Sequence, residues 1–187
     1  MSVSPMGIIY RCLRSNDISR PLGSYDPACR YANYTVKFCP LVGAFSTIKV
    51  GRQLNYYDQL VSVSGNFTLG FFGEEDKLYI GIWYTRDAKA EKVWVANPSK
   101  PIIPTGTIAL SIDPDPDTGN LIITAGGTTL MNITDVQAGP TPNVTATLED
   151  IGNLRLINEI DKRVLWQNFD HPTNVHLPGM KLGYYSI

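Results

Sequence analysis

No stretch of ten residues in this chain carries a convincing helical face, whereas short apolar alternations interrupted by turns run from Ile48 almost to the end. Leu60-Val-Ser-Val-Ser64 leads through Gly65-Asn66 into Phe67-Thr-Leu-Gly-Phe-Phe72. Leu78-Tyr-Ile-Gly-Ile-Trp-Tyr84, Lys92-Val-Trp-Val-Ala96, Ile108-Ala-Leu-Ser-Ile112 and Asn120-Leu-Ile-Ile-Thr124 follow. The series continues through 128–133, 144–148, 153–157 and 164–168. Enrichment in Val, Ile, Thr, Tyr and Phe at this turn spacing predicts an all-β domain.

Within that series a motif recurs. Gly65-Asn-Phe-Thr-Leu69, Gly119-Asn-Leu-Ile-Ile123 and Gly152-Asn-Leu-Arg-Leu156 each place Gly-Asn before an apolar strand. Gly-Asn marks turns in any β protein, so one copy carries no weight. Three copies, with Trp83, Trp94 and Trp166 as tryptophans of a structural core, predict three similar sheets around a pseudo-threefold axis.

Charge narrows the function classes. Lys plus Arg total 16 against 17 for Asp plus Glu, so the basic excess of a nucleic-acid binder is missing. The balance is uneven: residues 1–45 carry net +3 and the remainder net −4, which places a boundary near Ser46. Cys12, Cys29 and Cys39 all precede it. Three cysteines cannot pair completely, and neither their spacing nor the distant His171 and His176 makes a zinc pattern. No metal site and no cofactor are expected.

Asp113-Pro-Asp-Pro-Asp-Thr-Gly119 has the wrong residues for a calcium loop, with Thr118 and Thr124 where Gly and Glu are required. It reads as an acidic hairpin loop. No catalytic residue is assigned: there is no Gly-x-Ser-x-Gly elbow, and neither the Gly-rich loop nor the catalytic and metal-binding motifs of a kinase are present. Asn33, Asn66, Asn132 and Asn143 each begin an Asn-x-Thr glycosylation sequon. Residues 1–45 offer no apolar core long enough for a signal peptide, and no run approaches the roughly 18 residues of a membrane span.

The closing run Val164-Leu-Trp-Gln-Asn-Phe-Asp-His-Pro-Thr-Asn-Val-His-Leu-Pro-Gly-Met-Lys-Leu-Gly183 is broken at Pro172, Pro178 and Gly179, which predicts a clamp rather than a helix. With Ile80-Gly-Ile-Trp-Tyr84, Val93-Trp-Val-Ala-Asn97 and the Gly-Asn blocks, it resembles the bulb-type lectin domain of plant S-locus glycoproteins and G-type lectin S-receptor-like serine/threonine kinases. The likeness covers residues 46–183, about three quarters of the chain. It implies a β-prism II, with three four-stranded antiparallel sheets. Residues 1–45 are expected to be an irregular segment of unknown role, and 184–187 a truncated tail. Pro98, Asn174, Val175 and His176 depart from the family pattern.

The family's sugar signature is Gln-x-Asp-x-Asn-x-Val-x-Tyr, in which amide, carboxylate and phenol groups meet adjacent sugar hydroxyls. Laid on each Gly-Asn, it retains Asn66, Asn120 and Asn153 as weak carbohydrate ligands. The other four places hold Ser62, Ser64, Thr68 and Gly70 in the first copy, and Pro116, Thr118, Ile122 and Thr124 in the second. In the third they hold Glu149, Ile151, Arg155 and Ile157. Every copy lacks the Asp and the Tyr.

The resemblance therefore implies a non-catalytic recognition module with degenerate mannose sites, here without transmembrane or kinase parts. A soluble mannose-binding defence lectin is the alternative, and an inert fragment of a receptor gene a third. The partners implied are mannose-type glycans or a protein ligand, with a homodimer allowed by resemblance alone. The location implied is extracellular or a plasma-membrane ectodomain.

Overall fold

A computed structural model of the protein describes residues 45–181, apart from 75, 105, 116, 138 and 140–142. The expectations for the N-terminal segment, its cysteines, Asn33 and the last residues lie outside that range.

Among the described residues, twelve strands form three four-stranded antiparallel sheets, the β-prism arrangement. The first sheet joins β3 (Gln59–Val61), β4 (Phe67–Glu74), β5 (Lys77–Tyr84) and β6 (Lys92–Val95) in that order. The second joins β2 (Gln53–Asn55), β7 (Ile108–Ile112), β8 (Leu121–Ala125) and β9 (Thr128–Asn132). The third joins β1 (Thr47–Lys49), β10 (Val144–Leu148), β11 (Leu154–Asn158) and β12 (Val164–Gln167). Each sheet thus takes three strands from one contiguous stretch and borrows its first from the opening run of short strands.

Period-two alternation sets the faces. Ile80 and Ile82 of β5, Leu121 and Ile123 of β8, and Leu154 and Leu156 of β11 point into the common core with Ile48, Leu54 and Leu60. One buried hydrogen bond repeats in all three sheets. The N–H of Ile80 donates to Asn97 Oδ1 at 3.0 Å, that of Leu121 to Thr134 Oγ1 at 2.9 Å, and that of Leu154 to Asn168 Oδ1 at 2.6 Å. Asn97, Thr134 and Asn168 each follow the outer strand of their sheet and satisfy a main-chain donor that has no access to water. These contacts fix the pseudo-threefold correspondence of β5, β8 and β11.

The tryptophans divide between two environments. Trp94 lies in the core and Trp166 packs against it, ring centroids 5.8 Å apart. Trp83 is buried on the opposite, outer face of the first sheet, because it falls one residue out of phase with Ile80 and Ile82. It lies over Gly70, where an added Cβ would sit 3.0 Å from the indole Cη2.

The closing run clamps the first sheet to the third. Trp94 Nε1 donates to the His171 carbonyl at 2.9 Å, the Val95 N–H donates to Thr173 Oγ1 at 2.8 Å, and the Val175 N–H to the Val93 carbonyl at 3.2 Å. Phe169, Leu177 and Met180 enter the core. The His171 ring stacks on Trp166 at 5.4 Å, within 9° of parallel.

Candidate functional site

The correspondence of the sheets tests which residues occupy equivalent places. Asn120 and Asn153 do: each stands immediately before the core leucine whose N–H makes the repeated bond, on the turn entering the third strand of its sheet. Asn66 does not. Its turn joins β3 to β4, one strand earlier, and the equivalent place in the first sheet belongs to Tyr79 on β5. Asn66 is exposed, and its turn is built by Ser62, whose Oγ accepts the N–H groups of Asn66 and Phe67 at 3.2 and 3.1 Å.

In the first sheet the outer face of β5 is covered by aromatic rings. Phe72 stacks on Tyr79 with centroids 5.5 Å apart, and the Lys92 ammonium lies 4.7 Å from the Phe72 ring and 4.6 Å from Trp83. Gly81 permits this, since an added Cβ would stand 2.9 Å from Phe72 Cε1 and 2.7 Å from the Trp94 carbonyl oxygen. Among the described residues, this face presents these rings and the Lys92 ammonium.

In the second sheet Asn120 is 4% exposed, and its Oδ1 already accepts Thr134 Oγ1–H at 2.9 Å and the Val136 N–H at 2.8 Å. Both lone pairs are thereby used inside the protein. Thr118, at the place of the signature Asp, donates to Asp113 Oδ2 at 3.2 Å. Ile122 and Thr124 are buried, and Pro116 lies outside the described residues.

The third sheet retains most polarity, arranged differently from the signature. Arg155 Nη1 donates to Glu149 Oε1 at 2.7 Å, so an ion pair ties together the places of the Val and the Gln. Asn153 Nδ2 donates to Gln167 Oε1 at 3.1 Å, and Gln167 Nε2 donates to Asp170 Oδ1 at 3.0 Å. Lys181 completes the chain with its ammonium 2.9 Å from the same Asp170 oxygen. Burial tends to raise the Asp170 pKa, but the hydrogen bonds from Lys181 and Gln167 outweigh it and hold the carboxyl below its ordinary value. Asn153 Oδ1 and Arg155 Nε are buried and have no hydrogen-bond partner among the described residues, an acceptor and a donor two residues apart on one face. Ile151, at the place of the signature Asp, is 56% exposed.

Of the sequons, Asn66, Asn132 and Asn143 are exposed. Their threonines are not. Thr68 shares a hydrogen bond with Thr85 at 2.8 Å, Thr134 joins Asn120 to Leu121, and Thr145 donates to Glu159 Oε1 at 2.6 Å. A concavity of about 800 Å³ opens among Asn55, Tyr56, Tyr57, Lys77 and Ile103, away from the signature places of the second and third sheets. No helix of the described residues is long and apolar enough to cross a membrane.

The three capping residues Asn97, Thr134 and Asn168 escape a reading of the sequence. Their partners are 17, 13 and 14 residues away, and the residue type changes between sheets. Their common signal is a polar residue just beyond an apolar outer strand.

Residues 92–187 match the family model for D-mannose binding lectin. The G-type lectin S-receptor-like serine/threonine-protein kinase At1g67520 of Arabidopsis thaliana is 38% identical over 150 residues, which cover 74% of this chain and 18% of the relative. The Arabidopsis kinase of the same class called RKS1 is 36% identical over 159 residues, covering 81% of this chain and 18% of its own length. The chain therefore spans under a fifth of these relatives. In three dimensions it is similar to the monomeric monocot mannose-binding lectins from Gastrodia elata, at 13% identity and a TM-score of 0.49, over 65% of this chain and 94% of that one. The chain belongs to the bulb-type, D-mannose binding lectin family, and its curated relatives are plant G-type lectin receptor kinases.

Proposed function

We propose that this chain is a non-catalytic recognition module of extracellular type, of the kind found in receptor-like kinase ectodomains, whose mannose positions have degenerated. The observation that carries the reading is the chemistry at the three equivalent places: aromatic rings, an asparagine whose side-chain carbonyl is engaged within the protein, and a Glu149–Arg155 ion pair. A hexose needs convergent, unengaged donors and acceptors, and each one missing costs on the order of 1 kcal/mol. Two or three missing partners remove most of a weak affinity, since about 1.4 kcal/mol is tenfold.

Recognition then falls to another surface and to a protein ligand. The experiment is titration of the purified domain with mannose and mannose-rich oligosaccharides, followed by heat and by NMR. No saturable binding at millimolar sugar is expected. Millimolar-or-better binding abolished by Asn120→Ala, with the fold retained, would overturn the reading in favour of a soluble carbohydrate-binding lectin.

A further inference from the structure

The three outer strands β6, β9 and β12 end the three sheets, and their edges are protected unequally. The closing run covers β6 through the Val175–Val93 and Thr173–Val95 hydrogen bonds. The chain enters β12 through Asp161, Lys162 and Arg163, with Arg163 Nε 3.6 Å from Asp161 Oδ2. Charge at an edge opposes pairing with another strand. β9 has neither device. Among the described residues no backbone hydrogen bond reaches its outer side, and no charged residue stands between Asp117 and Asp135. Thr128, Thr129, Leu130 and Asn132 are exposed, Leu130 at 46%. A five-residue, uncharged, exposed edge is a template for a second copy of the same strand.

Asn132 ends that strand and begins the sequon Asn132-Ile-Thr134. Thr134 has a structural role, but the Asn132 side chain makes no hydrogen bond with any described group. Asparagine is depleted in strands, so an exposed one at a strand end with no structural role calls for another account. We propose that Asn132 carries an N-linked glycan that guards the β9 edge against pairing with a second copy of the domain. The proposal rests on the extracellular reading above, since the modification requires passage through the secretory pathway. The Asn132 amide nitrogen bonds to the anomeric carbon of an oligosaccharide carried on a lipid diphosphate. The bond from that carbon to the phosphate oxygen breaks, the lipid diphosphate leaves, and an amide proton passes to a carboxylate of the transferase. Because the transferase must also reach the Thr134 hydroxyl, which is 3% exposed in the fold, the transfer precedes closure of the second sheet. The glycan then stands on the outer face beside Ile122, the direct cross-strand neighbour of Asn132, where its bulk and hydration deny the edge to another chain.

The test expresses the full chain, behind an added secretory signal, in a eukaryotic host. Intact glycopeptides are mapped by mass spectrometry and the molecular mass is read by light scattering. Asn132 should be occupied and the protein monomeric. Asn132→Gln should double the mass through antiparallel β9 pairing, and Asn132→Gln combined with Leu130→Lys should restore the monomer, because charge replaces the glycan as the guard. Unmodified Asn132 beside glycosylated Asn66 or Asn143 would overturn this proposal alone, whereas absence of glycan at all three would also count against the extracellular reading. A monomeric Asn132→Gln variant at the same concentration, or a dimer that Leu130→Lys leaves intact, would overturn the guarding role.

Discussion

Asp150 Oδ1 accepts the backbone N–H of Ser64 at 2.7 Å, joining turns that lie 86 residues apart in sequence. One turn links β3 to β4 and the other β10 to β11, so the bond ties the first sheet to the third at one end of the prism. Hydrogen bonds from Ser64 hold the Asp150 carboxyl below its ordinary value. A carboxylate lowered in the folded state stabilises it fully above the unfolded value of about 3.9, and that contribution disappears as pH falls through the lower folded value. Asp170 and Glu159 are lowered as well and act in the same sense. Thermal melts from neutral to about pH 3 should show stability falling on acidification. Asp150→Asn, which keeps an acceptor but no charge, should make that fall shallower. An unchanged pH profile in the variant would show that the turn-to-turn bond does not couple to folding.

The same end of the prism distinguishes two glycines of similar backbone conformation. Gly65 has φ +74° and Gly152 has φ +85°. A Cβ on Gly65 meets nothing within 4 Å, whereas one on Gly152 would stand 2.8 Å from Phe67 Cε1 and 2.9 Å from Leu177 Cδ1. Gly65→Ala should therefore cost only the left-handed backbone penalty, about 1–2 kcal/mol. Gly152→Ala adds overpacking at a contact between sheets and should cost about 1–3 kcal/mol more. Urea unfolding of the two variants measures the difference. Equal losses would mean that the Phe67–Leu177 contact yields freely.

Removal of a repeated cap should be costly wherever it is tried. Asn168 is fully buried, and Asn168→Ala leaves the Leu154 N–H without a partner and the Gly152 carbonyl without its 3.4 Å contact. An unsatisfied buried donor costs about 1–3 kcal/mol. Thr134→Val keeps the shape but strands both the Leu121 N–H and one lone pair of Asn120 Oδ1, so a loss in the same range is expected. Denaturant midpoints of both variants, with unchanged slopes, would check the equivalence.

These contacts show what was legible in the sequence and what was not. Strand alternation predicts β4 to β12 closely, because burial of one face is written in every second residue. The threefold design is also legible, but the Gly-Asn motif equates Asn66 with Asn120 and Asn153, whereas its turn lies one strand earlier in its sheet. Gly65, Gly119 and Gly152 all adopt positive φ, so each makes a similar local turn, and nothing local tells which pair of strands it joins. The assignment of β1, β2 and β3 to three different sheets is equally invisible, since each is only three residues long and pairs far along the chain. At the candidate sites the sequence gives the missing signature residues. It does not give the engagements that replaced them, such as Arg155 with Glu149, because those depend on cross-strand geometry.

If the third place is an altered sugar site on an intact scaffold, it should be recoverable. Asn153 still carries an unengaged buried acceptor, and the backbone of β11 is held by Asn168. Glu149→Gln and Arg155→Val remove the ion pair, while Ile151→Asp and Ile157→Tyr supply the carboxylate and the phenol that the signature requires. The pair's side chains are 31% and 30% exposed and its contribution is about 1 kcal/mol, so its loss should not unfold the domain. The four changes together should produce saturable mannose binding in the millimolar range, absent from the parent and lost again on Asn153→Ala. The corresponding grafts at Tyr79 and Asn120 should not bind, because rings cover the first place and Thr134 and Val136 engage the Asn120 carbonyl oxygen in the second. A folded third-sheet graft that still fails to bind would mean that the altered residues had also reshaped the backbone beneath them.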